Sequence, residues 1–120
     1  MATVTAVQVT ATDIRHTRHK WEGFVASADV GTSVGMGNYS DRSVQVLGTF
    51  TGSLEITIEG SNDGGTTWAT LTDPQGNNLV ITAAKIEAIT ELVDKIRPRA
   101  TAGSGGGDVD VWIFFGGNRS

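Results

Sequence analysis

The sequence has no cysteine. Disulfides, thiolate metal centres and cysteine nucleophiles are therefore excluded together. Proline is nearly as scarce: two residues stand against sixteen glycines, so turn-capable positions are many and rigid breaks few. Long hydrophobic runs are also missing. None approaches the roughly 20 residues of a membrane-spanning helix. The N-terminal MATVTAVQVTATDIRH alternates apolar and polar residues, without the continuous apolar stretch of a secretory signal. The expectation is a chain made and folded in a cytoplasm, with no membrane partner. Positive charge is in deficit as well, with nine Lys and Arg against thirteen Asp and Glu, a net charge of −4. Without a broad basic excess, no nucleic-acid partner is expected.

What is present fits one soluble domain of 120 residues, 38% hydrophobic and 18% charged. Its supply of Val, Ile and Thr favours strands. Charge is uneven. Seven acids and one base, Lys85, lie between Ser43 and Asp94, whereas RHTRHK (15–20) and KIRPR (95–99) are basic. Such a surface suits partners of mixed charge.

The hydrophobic pattern runs mostly at period two. SVQVLGTF (43–50) and SLEITIEG (53–60) read as strands joined at Thr51-Gly52 in a tight hairpin. SNDGG breaks the alternation, TTWATL resumes it, TDPQGNN turns, and NLVIT is a short strand. TAAKIEAITELVDK (82–95) has both helical and strand spacing and is read as a short helix or irregular turn. KIRPRAT (95–101) is a strand whose Pro98 favours an edge or a bulge. AGSGGG makes a hairpin tip before DVDVWIFF, the last strand. VTAVQVT (4–10) and WEGFVAS (21–27) are further candidate strands, and 31–40 is a glycine-punctuated loop without a period. The fold expected is an all-β, single-domain antiparallel β-sandwich, jelly-roll or Ig-like, with at most one short helix near residues 82–94. Residues 1–20 form an N-terminal arm or first strand, and 21–120 the sandwich.

Catalytic constellations are not found. His16 and His19 are spaced i, i+3, but a third ligand is not nearby and the flanking Arg15, Arg18 and Lys20 repel a cation. There is no G-x-S-x-G elbow and no phosphate-binding glycine loop. Asp108 and Asp110 share a strand face and read as solvated rather than as a general acid pair. In EGSNDGGTTWATLTDPQGN (59–77), Asp63, Asp73 and their amide neighbours offer oxygens for calcium. The same residues are what two turns need, and the turn reading weighs more. No cofactor, no metal and no small-molecule substrate are expected. Among the aromatics, Trp68 reads as a core anchor, with a sugar-stacking platform at Trp68 or Tyr39 as the alternative. In the last strand, Val109, Val111, Ile113 and Phe115 form one face, and Asp108, Asp110, Trp112 and Phe114 the other. A strand apolar on both sides is either central in a sandwich or covered by another subunit.

Together, LEITIEGSNDGGTTWATLTDPQGN, the AA-x-IEAIT segment, KIRPRAT and the final strand resemble a family of small virion proteins of tailed phages, over roughly Ser43 to Phe115. GSNDGGTTW alone also resembles a turn of discoidin-like carbohydrate-binding domains. The phage resemblance implies a β-sandwich or jelly-roll decoration (cement) protein, not an enzyme. Such a protein is made in the host cytoplasm and carried on the outer capsid surface of the virion. It binds the major capsid protein and stabilises the shell across capsomer junctions, as a homo-oligomer, trimer or dimer. A head–tail connector or tail protein is the alternative, as is a carbohydrate-binding module. The basic segment Arg15, His16, Arg18, His19 and Lys20 is the expected capsid contact. Met36, Tyr39, Trp112 and Phe114 are the expected contacts between like subunits.

Overall fold

The computed structural model describes residues 2–9, 16–35 and 39–117, and no helix occurs among them. The strands are β1 (Thr3–Val4), β2 (Ala6–Val9), β3 (His16–Phe24), β4 (Val30–Gly31), β5 (Val34–Gly35), β6 (Asp41–Thr49), β7 (Glu55–Ser61), β8 (Ala69–Thr70), β9 (Val80–Ile81), β10 (Lys85–Ala88), β11 (Lys95–Ala102) and β12 (Asp108–Gly116). They form two facing sheets. One has five strands in the order β10-β6-β12-β3-β2. The other runs β1-β4-β11-β7-β8, with β5 also on β11 and β9 also on β7. All pairings are antiparallel except β1 with β4.

The alternation read from the sequence sets which side chains meet. Val44 and Val46 of β6, Trp21 and Phe24 of β3, and Val109, Val111, Ile113 and Phe115 of β12 point inward. They meet Ile56 and Ile58 of β7 and Ile96 and Ala100 of β11, all buried. Trp21 is the tryptophan of this core, and its indole nitrogen donates to the Thr32 carbonyl at 2.9 Å. Trp68, expected as the anchor, is only half-buried and lies on the outer side of the seven-stranded sheet beside Arg97. A tryptophan after a turn was read as a core residue, but its place beside β8 opposite Ser61 gives it the outward parity.

Two expected hairpins are corrected. β6 and β7 lie in different sheets, as do β11 and β12. Thr51-Gly52 and the AGSGGG segment therefore carry the chain across the sandwich rather than back along a neighbour. The two crossings pack on each other through the Ser104 amide and the Gly52 carbonyl, 3.0 Å apart. A third crossing, between β3 and β4, joins them through the Ser27 amide and the Gly103 carbonyl, also at 3.0 Å. Asp29, buried, ties this third crossing by accepting from the amides of Val25, Ala26 and Ala2. Its burial pushes the carboxyl pKa up, but those three amides outweigh it and hold the pKa below the ordinary value. Among these strands the chain changes sheet at seven of eleven connections, and the strand order is that of a jelly roll rather than an Ig-like sandwich.

The 82–94 segment is not a helix. Lys85–Ala88 pairs along β6. Beyond it the Ile89 amide donates to the Arg42 carbonyl, the Thr90 amide to the Thr72 carbonyl, and Arg42 binds the Thr90 and Glu91 carbonyls. Backbone groups that a helix would satisfy internally are taken by neighbours, so tertiary pairing overrides local propensity. Pro98 lies in a central strand, not at an edge. The sheet accommodates it because the adjacent strand is interrupted between β4 and β5, and Gly31 packs against the proline ring.

Residues 2–9 and 16–20 belong to the sheets: β1 pairs with β4, β2 with β3, and β3 with β12. Arg15 and Met36, named above as contact residues, lie outside the described residues.

Candidate interface on the five-stranded sheet

Side chains that alternate inward along β6, β12 and β3 leave a second set facing out. The cross-strand register arranges that set in two complete rows. One runs Val7–Lys20–Trp112–Gln45–Ile86, the other Val9–Arg18–Phe114–Ser43–Ala88. Outer positions of a solvated sheet are ordinarily polar. Here Ile86 is 62% exposed, Val7 54%, Phe114 41% and Leu47 38%. Lys20 places its ammonium 4.9 Å from the centre of the Trp112 ring, and the Arg18 guanidinium is 5.8 Å from it. Lys20 also pairs with Glu22 at 3.4 Å. His16 stacks on Phe114, ring centres 5.7 Å apart. A shallow concavity of about 440 Å³ lies over the centre of the sheet, bounded by Arg18, Gln45, Leu47, Ile86, Trp112 and Phe114.

Two groups of residues that the sequence suggested separately therefore share one face: His16, Arg18 and Lys20 from the basic segment, Trp112 and Phe114 from the last strand. His19 points the other way. Its ring lies between Phe115 at 5.7 Å and Trp21 at 6.3 Å, and burial lowers its pKa. Tyr39 is part-buried against the core and stacks on Phe115 at 6.1 Å. Val7, Leu47, Ile86, Ser43 and Gln45 were not among the suggested residues. Leu47 could have been found by the same rule as Trp112, because it is apolar at an outward position of an alternating strand.

The outer side of the opposite sheet is different in kind. Glu59, buried, accepts from Arg97 Nε at 2.9 Å, and Arg99 Nε lies 3.5 Å from its other oxygen. The Arg97 guanidinium covers one face of Trp68 at 4.1 Å. Thr101 donates to Glu55 at 2.8 Å and lies 2.7 Å from the Thr57 hydroxyl. These groups are matched within the chain, except that the buried Arg99 Nε makes no hydrogen bond and only an ion-pair contact to Glu59.

The oxygen-rich turns are occupied as well. One Asp63 oxygen accepts from the Thr66 and Thr67 amides and the Ser61 hydroxyl, and these bonds, the Thr67 amide foremost, hold its pKa far below the carboxylate range. Asp73 accepts from the Gln75 and Asn77 amides, Asn77 foremost in lowering its pKa. Asp110 accepts from the Gly23 amide at 3.1 Å, at the irregularity where β3 and β12 shift register. These carboxylates close turns and bulges.

The class these features define is a jelly-roll domain with one outer face whose charges pair largely within the chain and one apolar, cationic outer face open to solvent. No family model matches the chain, and no curated protein does. Among solved structures, it is similar in fold to the SPBc2 prophage-derived protein YomS, with a TM-score of 0.60 and 16% identity over 89% of this chain and 97% of that one. A chain of the disulfide-linked pili of Bacillus endospore appendages aligns over 94% of this chain and 89% of its own, at 18% identity and a TM-score of 0.41, too low to carry an argument.

Proposed function

We propose that the protein is a phage virion structural protein, a capsid decoration protein bound to the shell that the major capsid protein forms. The observation that carries this reading is the outer face of the five-stranded sheet. Exposed apolar side chains on four of its strands, Val7, Leu47, Ile86 and Phe114, mark a surface of the kind that is covered in an assembly. The fold likeness to a prophage-derived protein and the resemblance of the 43–115 segment to small virion proteins support the phage setting. A structural rather than catalytic role fits carboxylates that are committed to backbone amides. Cohesion then comes from buried area, multiplied by copies repeated on a symmetric particle.

Mass spectrometry of purified virions, with copy number, tests the reading. Copies in proportion to the shell subunits are expected. Copies sufficient only for a ring would move the protein to the head–tail junction, and absence from the particle would overturn the virion role. In co-sedimentation with undecorated capsids, wild type should pellet with the shells.

A further inference from the structure

We infer that the outer face of the five-stranded sheet is a two-fold interface with a second copy of this chain. The inference rests on the reading of that face as an assembly surface and names its occupant. The central strand of the sheet is β12, with two strands on each side. Read across it, the first row is apolar, cation, aromatic, amide, apolar (Val7, Lys20, Trp112, Gln45, Ile86). The second is apolar, cation, aromatic, hydroxyl, apolar (Val9, Arg18, Phe114, Ser43, Ala88).

Each row is apolar at both ends and aromatic at its centre, with a cation on the β3 side and an uncharged acceptor on the β6 side. Two such faces stacked about a two-fold axis lying in the interface, close to the β12 direction, superpose β3 of one copy on β6 of the other. Trp112 then meets Trp112 and Phe114 meets Phe114. Val7 covers Ile86. Lys20 lies over Gln45 and Arg18 over Ser43, so each cation meets an uncharged acceptor and no cation meets a cation. Isologous contacts require this self-complementarity. Sheets packed face to face cross at about 30°, which an axis inclined about 15° to β12 supplies. Three strands of nine residues and two of four, about 4.8 Å apart, cover roughly 550 Å² per copy, or at full overlap roughly 1,100 Å² in the pair, comparable with the ~1,000 Å² of a specific interface. Glu22 and Asp110 lie at one border of the patch, where Asp110 faces its own counterpart across the axis and Glu22 faces the Leu47 side, so this border stays a solvated rim outside the two rows.

Sedimentation equilibrium on the full chain tests the inference, with a reversible dimer of the 12.6 kDa chain expected. Position 45 gives the sharpest test, because it separates charge from folding. Gln45→Lys sets a cation against Lys20 of the other copy and should weaken the dimer at least about 10-fold, whereas Gln45→Glu should tighten it. Ile86→Asp should yield a folded monomer, checked by circular dichroism. A wild-type monomer at about 100 µM would overturn the inference, as would a dimer that both Gln45 variants leave unchanged. The virion reading stands or falls separately, on whether the protein is found in particles: a wild-type monomer that still co-sediments with capsids would mean the shell itself occupies this face.

Discussion

His19 shows how one residue's direction decides its role. It lies in the basic segment, yet its place on β3 turns it toward Trp21 and Phe115, where burial disfavours the charged ring. The folded state therefore takes up a proton less readily than the unfolded chain. Stability is full above the unfolded pKa of 6.5 and is lost as pH falls from there toward the lower folded value. Asp29, Asp63, Asp73 and Glu91 are also held below their ordinary values, and their contributions are lost only in more acid solution, below about pH 4. Thermal melts stepped in pH should show Tm starting to fall between about pH 6.5 and 5, ahead of the acid limb. His19→Phe should remove that early fall and leave the acid limb. An unchanged early fall in the variant would assign it to another group. Arg18 and Lys20, one position to either side, keep their charge outside on Trp112.

At the scale of elements, the period-two pattern made the facing of each strand legible but not its neighbours. Every inward residue expected of β12 is buried, and β12 is central. By contrast, β6 and β7 were legible as strands and misread as a hairpin. A glycine turn between two amphipathic strands has the same composition whether the chain returns in one sheet or crosses to the other. The information that separates them is long-range: β6 pairs with β12 and β7 with β11, both far away in sequence. Ile86 was ambiguous for a related reason, because its segment has both periods and only pairing with β6 settles it. The merging of the basic segment with the last strand on one face was likewise hidden, since it depends on the register between β3 and β12. Close packing against β12 also ranks the glycines. At Gly48, φ is +128° and an added Cβ would lie 2.2 Å from the Asp108 carbonyl oxygen, whereas at Gly64 φ is +79° with nothing within 4 Å. Gly64→Ala should cost about 1 kcal/mol, for backbone conformation alone. Gly48→Ala, which must also move backbone, should cost more than about 3 kcal/mol. Urea midpoints measure both, and equal costs would contradict the close approach of β12 to Gly48.

For the whole molecule, the two outer faces have separate roles under the proposed function, stability for one and assembly for the other. Glu59, Arg97 and Trp68 form a network that completes itself within one chain. Removing Arg97 leaves a buried carboxylate short of its closer partner, at a cost of about 3 kcal/mol. Arg97→Ala should therefore lower the urea midpoint while leaving sedimentation and capsid binding as in wild type. Ile86→Asp should do the reverse, changing association with little loss of stability. If Arg97→Ala also abolished association, the two faces would not be independent.

The position of β12 also has a consequence for timing. It is the middle strand of the five-stranded sheet, yet it follows every other strand of that sheet along the chain. During synthesis β3 and β6 have no common partner until β12 has been made, and the rows that carry Trp112 and Phe114 do not exist before then. Such long-range closure is slow compared with local pairing. The outer face of this sheet is thus completed by the strand that comes latest in it along the chain, and a chain cut before β12 lacks both rows.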